Sequence, residues 1–246
     1  MINSHLIPIV DADYIVYRVG FAVGPEEPVE YALATVKSSI NNIWDRFRDS
    51  PEQGKLYIGG DNNFREKIAT HRIYKGNRDT SLRPNFYSEI RDYMIHVHGA
   101  VKVDGMEAED AAGIEHYKHK DKSTVLVHQD KDLNCLPGWH YNPIKDVLYY
   151  QTMRDANIHF WTQVLTGDST DNIRGIDGIG PKTAANLLAP CDGDWMKMYE
   201  VALSKYKKQH RLEGESMLRE TCMLVWILRK EGETFDGSAI EKEEQE

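Results

Sequence analysis

Carboxylates follow nearly every short apolar run in this chain, and hard cations are what such groups hold. Asp11 and Asp13 come after LIPIV, and Asp61 after KLYIGG. Glu107, Glu109 and Asp110 come after VKVDGM, and Asp130 and Asp132 after TVLVHQ. A further pair, Asp168 and Asp171, opens the stretch GDSTDNIRGIDGIGPKTAANLL at 167–188. One acid beside a strand is ordinary loop composition; the repetition is the signal. Brought together, these groups repel one another and take up protons unless counter-charge is supplied. Oxygen donors with no His or Cys at ligand spacing select magnesium or manganese over zinc. Two such ions about 4 Å apart activate a water and steady a leaving oxygen, which is phosphoryl-transfer chemistry. His128 is a lone imidazole at a strand end and is not counted as a ligand.

The opposite sign is also present. Gly175, Gly178 and Gly180 form a glycine hairpin that runs into Pro181 and Lys182. Glycines let the backbone turn and present successive N–H groups, Pro181 suits a first helical turn, and a helix N-terminus behind such a turn is an anion site. Between residues 62 and 83 stand Arg65, Lys67, Arg72, Lys75, Arg78 and Arg83 against only Glu66 and Asp79, with Tyr74 beside Lys75. Cations for phosphates and a ring for stacking suit a nucleic-acid strand.

These groups need a frame. Residues 6–10, 55–59, 101–103 and 124–128 read as strands, and Leu33, Val36, Ile40, Ile43 or Trp44, and Phe47 mark a helix over 30–49. Strands alternating with helices predict an α/β fold with a mostly parallel sheet. In such a sheet the strand C-termini share one edge, where ligands bind. From about residue 155 the pattern is helical, with Val201, Leu212, Met217, Leu224 and Ile227 as expected core. Hydrophobic residues make up 41% of the chain, ample for a core, yet no run approaches the roughly 18 residues of a membrane span. MINSHLIPIV lacks a basic flank and a cleavage site, so no signal peptide is expected. Three cysteines without metal spacing fit reduced thiols in the cytoplasm. The formal charge of −9 argues against a polyanionic partner until its distribution is considered. The tail 231–246 carries seven acids and one lysine and reads as a solvated end. With that tail and the ten candidate site acids set aside, the remainder is positive.

GDSTDNIRGIDGIGPKTA resembles the helix–hairpin–helix signature of the 5′-nuclease family: flap endonucleases, the 5′-nuclease domains of bacterial DNA polymerases I and phage 5′–3′ exonucleases. IVDADYIVYR, GGDNNFREK, IYKGNRD, GMEAEDAAG and HQDKDLNCLPG occur in the family's order, so the resemblance spans residues 9–188. The compact arch region and short chain look most like the phage members. The resemblance implies a PIN-like nuclease core at 1–154 with a basic arch at about 62–95, a helix–hairpin–helix DNA-binding region at 155–230, and the acidic tail. It implies two Mg2+ or Mn2+ ions, one held by Asp11, Asp61, Glu107 and Glu109, the other by Asp130, Asp132, Asp168 and Asp171, with Asp110 between or behind them. Glu109 stands where the family usually has Asp, and Asp13 where many relatives have no acid. Asp130, Lys75 and Arg78 are the implied catalytic residues, with Lys75 on the scissile phosphate. Arg18, Arg72, Tyr74 (stacked on the terminal base), Lys75 and Arg78 would contact DNA. Gly175, Gly178, Gly180 and Lys182 would bind duplex backbone, with a potassium ion at the hairpin. The implied reaction is hydrolysis of DNA near a 5′ end, flap or nick, with RNA–DNA hybrid as a side substrate. The implied setting is a monomer in bacterial or phage-infected cytoplasm, away from membranes. Two alternatives stand beside it: a catalytically inactive structure-specific DNA-binding protein, and a PIN-type ribonuclease. The acidic set argues against the first and the glycine hairpin against the second.

Overall fold

Ile7–Asp11 (β1) and Thr124–Val127 (β4) are buried at every position in the computed structural model, which describes residues 4–79, 82–119, 123–233 and 235. Unbroken burial is the mark of parallel strands covered on both faces. With Lys55–Gly59 (β2), Val101–Val103 (β3), Gly138–Asn142 (β5) and Val147–Gln151 (β6) they form a six-stranded sheet in the order β3-β2-β1-β4-β5-β6. The pairs β1–β2, β1–β4, β2–β3 and β4–β5 are all parallel. The first four strands lie within a residue of their expected positions. β5 and β6 were not anticipated, because GWHYN and VLYYQ mix aromatic and polar residues without a clean period.

The chain divides into two compact units. The first comprises Met1–Asn63, Asp79–Leu133 and Gly138–Tyr150 and contains the sheet. Its helices are Asp13–Ala22 (α1), Val29–Arg46 (α2), Tyr87–His98 (α4) and Ala108–Lys118 (α5). Val36, Ile40 and Ile43 form the buried stripe of α2, and they join Val10, Ile15, Leu56, Ile58, Met94 and Val125 in one core.

The second unit comprises Phe64–Arg78, Asn134–Pro137 and Gln151–Glu246. It holds Arg65–Ile68 (α3), Met153–Thr166 (α6), Pro181–Leu188 (α7), Trp195–His210 (α8) and Gly214–Val225 (α9). A short antiparallel ladder joins Gly167–Asp168 (β7) to Ile173–Arg174 (β8). Aromatic rings fill its centre: Phe160 stacks on Trp195 at 5.0 Å and meets Trp226 edge-on at 5.4 Å.

Three expectations change. Residues 64–78, expected within a first domain ending at 154, pack in the second unit. Arg65, expected among the exposed cations, is buried, donating from Nε to the Leu224 carbonyl at 2.8 Å and from a terminal nitrogen to that of Trp226 at 2.7 Å. Leu212, expected in the core, is fully exposed in the Arg211–Glu213 turn between α8 and α9, where helical periodicity no longer applies. Of the acidic tail, residues 234 and 236–246 lie outside the described residues, as do 80 and 81 of the arch segment. No helix among the described residues is long and apolar enough to cross a membrane.

Ile58 is fully buried in β2. Ile58→Ala is expected to cost about 2–5 kcal/mol, read as a lowered urea midpoint by far-UV circular dichroism; an unchanged midpoint would remove β2 from the core.

Candidate active site

β1 ends on Asp11, whose Oδ1 accepts the Asp13 N–H at 3.3 Å. Burial pushes this carboxyl well above its ordinary pKa, and repulsion from Asp13, Asp130 and Glu107 pushes the same way. Carboxylates from the ends of β1 and β4 and the start of α5 thus share one field. Beside them, Glu109, Asp130 and Asp132 each offer an oxygen within 4.8 Å of the others. The turn after β4 is drawn in by the Asp132 N–H, which donates to Asp130 Oδ1 at 3.1 Å. Glu107 is the N-cap of α5, and with Asp110 it forms a capping box, in which Asp110 Oδ2 accepts the Glu107 N–H at 3.1 Å. Asp110 is fully buried there, holding the helix start that presents Glu107 and Glu109.

The other acids of this unit are engaged differently. Asp13 accepts the Gly59 N–H at 3.1 Å and lies 3.6 Å from Arg91, closing the end of β2. Asp61 is exposed and paired with Lys102 at 2.9 Å, and its N–H donates to Asp104 Oδ1 at 2.8 Å. It is in neither the group that perturbs Asp11 nor the Glu109–Asp130–Asp132 group. His128 packs its Nδ1 against the Asp130 carbonyl, with Nε2 2.8 Å from His140 Nδ1, and burial lowers its pKa to about 4. It braces the Asp130 turn. Lys102, Arg91 and His140 escaped the sequence reading because a cation or imidazole within a strand or helix looks like any other.

In the second unit, Asp168 Oδ1 accepts the N–H groups of Thr170 at 2.7 Å and Asp171 at 3.3 Å. Asp171, expected as a metal ligand, accepts from the Tyr74 hydroxyl at 2.8 Å and from Arg78 at 2.6 Å, and Lys75 Nζ lies 3.8 Å away. The Lys75 N–H donates to the Asp171 carbonyl at 2.9 Å, Asn77 to that of Ser169 at 2.6 Å, and Asn172 to that of Ile73 at 2.9 Å. Loops 73–78 and 168–172 are therefore one hydrogen-bonded body. Tyr74 corrects an expectation: its ring is buried against this body, not offered for base stacking. Arg72 and Arg78 are exposed and Lys75 is partly so, as is required of groups that meet phosphate. Arg18 is exposed on α1 of the first unit.

The hairpin glycines divide in role. Gly178, at φ +76°, and Gly180 have no heavy atom within 4 Å of where a Cβ would sit, and both are exposed. Gly180 is the N-cap of α7 without side-chain capping, Pro181 is in its first turn, and Lys182 is exposed. First-turn N–H groups have no intrahelical partner and attract anions. At Gly175 a Cβ would collide with the backbone of Thr166 and Gly167, so the close approach beside the β7–β8 ladder requires a glycine there.

No protein-family model matches the chain. It is 28% identical over 220 residues to DNA polymerase I of Rhizobium leguminosarum, matching 76% of this chain and 20% of that protein. It is 29% identical over 202 residues to the 5′-3′ exonuclease of Buchnera aphidicola subsp. Schizaphis graminum, matching 74% and 69%. The chain thus spans about a fifth of the polymerase relative and over two thirds of the exonuclease. Among solved structures, the zinc-bound 5′-exonuclease of T5 shares the fold with a TM-score of 0.67 at 20% identity, over 89% of this chain and 88% of that one. Flap endonuclease-1 from Methanococcus jannaschii does so with 0.55 at 12% identity, over 95% and 82%. These sequence relatives agree with the resemblance that the motifs carry, and the solved structures share the fold.

Because the folded state raises the Asp11 pKa, ionising it costs stability progressively as pH rises above the unfolded carboxyl value of about 3.9. In chelator, Asp11→Asn is expected to melt higher than wild type at pH 8, by about 2–4 °C per kcal/mol of relieved repulsion. The gain should vanish towards pH 4. A variant that melts lower than wild type at pH 8 would show that the charge is compensated.

Proposed function

We propose that the chain is a divalent-metal-dependent 5′-nuclease that hydrolyses DNA phosphodiesters near a 5′ end, as 5′–3′ exonuclease, flap endonuclease or both. The observation that carries this is the gathering of Asp11, Glu107, Glu109, Asp130 and Asp132 where β1 and β4 end and α5 begins. An all-carboxylate donor set with three oxygens this close fits hard divalent ions. Two Mg2+ or Mn2+ ions would neutralise the carboxylates, activate water and stabilise the leaving oxygen. Asp61, Asp168 and Asp171 remain ligand candidates by family resemblance, Asp61 after release from Lys102 and Asp171 after release from Tyr74 and Arg78.

The chain's own cations do the rest. Lys75 and Arg78, held by Asp171, present positive charge to the scissile phosphate and stabilise charge that develops there. The exposed backbone at Gly178 and Gly180 and the first turn of α7, with Lys182, hold duplex phosphates, and a potassium ion at the hairpin belongs to the same reading. Arg18 and Arg72 add backbone contacts. Products carry a 5′-phosphate on one side of the cut and a 3′-hydroxyl on the other. The partner is DNA with a 5′ end, flap or nick, RNA–DNA hybrid is a minor substrate, and the protein acts as a monomer in the cytoplasm.

The test is product-length analysis on 5′-flap, nicked and blunt duplexes, with magnesium and with chelator. Cleavage confined to magnesium and to 5′-ended DNA is expected. Asp130→Asn should abolish it while sparing duplex binding, and Lys75→Ala should lower turnover about 10²–10³-fold. Binding without magnesium-dependent cleavage would leave an inactive DNA-binding protein, and preference for single-stranded RNA a ribonuclease.

A further inference from the structure

Fourteen residues, 65–78, carry Arg65, Lys67, Arg72, Lys75 and Arg78, and only one helical turn, α3, orders them internally. Fixing each backbone residue costs about 1–2 kcal/mol, so the position of Lys75 depends on what the segment is tied to. Its downstream end is tied to loop 168–172 through Asp171. Its upstream end is tied by Arg65 to the carbonyls of Leu224 and Trp226, at and just beyond the end of α9.

Between these ties stands Glu220, in the middle of α9 and 7% exposed. Oε1 accepts the N–H of Thr70 at 2.9 Å and of His71 at 3.0 Å. Oε2 accepts the Thr70 hydroxyl and lies 2.6 Å from His71 Nδ1. Three donors and an imidazole nitrogen from two consecutive residues thus converge on one carboxylate far along the chain. Burial opposes ionisation of Glu220, but these hydrogen bonds outweigh it and hold the carboxyl below its usual range. Hydrogen bonds to an ionised acceptor are about twice as strong as neutral ones, and packing alone would ask only for an apolar side chain at this site.

We propose that Glu220 is a positioning residue: from α9 it fixes Thr70 and His71, three residues ahead of Tyr74, and so sets where Lys75 and Arg78 stand during turnover. This gives the C-terminal helix a task in catalysis without contact with substrate. The turnover part rests on the reading of Lys75 and Arg78 as phosphate contacts; the ordering part does not.

Amide hydrogen exchange on the full chain tests the ordering directly. Glu220→Ala should speed exchange across 69–78 at least tenfold and leave α6 and α8 as in wild type. Glu220→Gln, which keeps an acceptor for both N–H groups, should fall between. Should Glu220→Ala fold poorly, Thr70→Val removes a single donor and should give a smaller change in the same place. Unchanged exchange in 69–78 overturns the proposal. On a 5′-flap with magnesium, Glu220→Ala should lower kcat at least tenfold with duplex Kd unchanged. Combined with Lys75→Ala and Arg78→Ala it should lose no more than that pair alone, because all three act through the same two cations. Additive losses, or a loss confined to Kd, overturn the positioning role. A wild-type protein that cuts nothing sinks the nuclease reading and the turnover part, while exchange still decides whether Glu220 orders the loop.

Discussion

Like charges held close together set the terms for the first unit. At an effective dielectric of about 20, two unit charges 4 Å apart cost about 4 kcal/mol, a large share of the 5–15 kcal/mol by which a typical domain is stable. Such a grouping persists only where the backbone beneath it cannot spread. β1 and β4 supply that backbone as adjacent, fully buried parallel strands, and the capping box fixes the start of α5. Cations of the same unit offset the flanking acids, Lys102 for Asp61 and Arg91 for Asp13, and within the cluster Lys131 pairs with Asp132. Asp11, at the centre, answers with a raised pKa. Offset at the rim and strain at the centre are what a site for divalent cations requires.

The second unit solves the converse problem. A basic segment that met DNA as a free chain would give up its conformational entropy on binding. Here Asp171 and Glu220 do the ordering in advance, so the cations are arranged before any phosphate arrives. On the proposed reading the cost is competition, since a phosphate would draw Arg78 or Lys75 partly away from Asp171. Arg78, with its side chain 44% exposed, stays within reach of solvent.

What the sequence made legible follows from what is local. Apolar runs ended by acids located four strands, and three–four spacing located α2, because neighbours in sequence decide both. The hairpin was legible for the same reason, down to the proline at the start of α7. Partners far along the chain decided the rest. Arg65 reads as one cation among six until carbonyls 159 and 161 positions away claim it. Tyr74 reads as a stacking ring until Asp171 takes its hydroxyl. Gly175 and Gly178 look alike in GIDGIG, and only the backbone of Thr166 and Gly167 tells them apart. The division into units was hidden likewise, since no composition shift marks 64–78 as belonging with helices that begin near residue 153.

A net charge of −9 on a proposed DNA-binding chain is then no paradox. Formal charge counts every carboxylate that bound cations would neutralise, and it omits the helix dipole and first-turn N–H groups at the start of α7, which attract anions without any ionised side chain. It also counts acids already matched within the fold, such as Glu115, which is bound to Lys55 at 2.5 Å, and Glu220. Affinity for a polyanion depends on the potential where the strand lies. In the proposed reading that potential comes from Lys75 and Arg78, which are tied to Asp171, and from Lys182 at the N-terminus of α7, rather than from the sum over the chain.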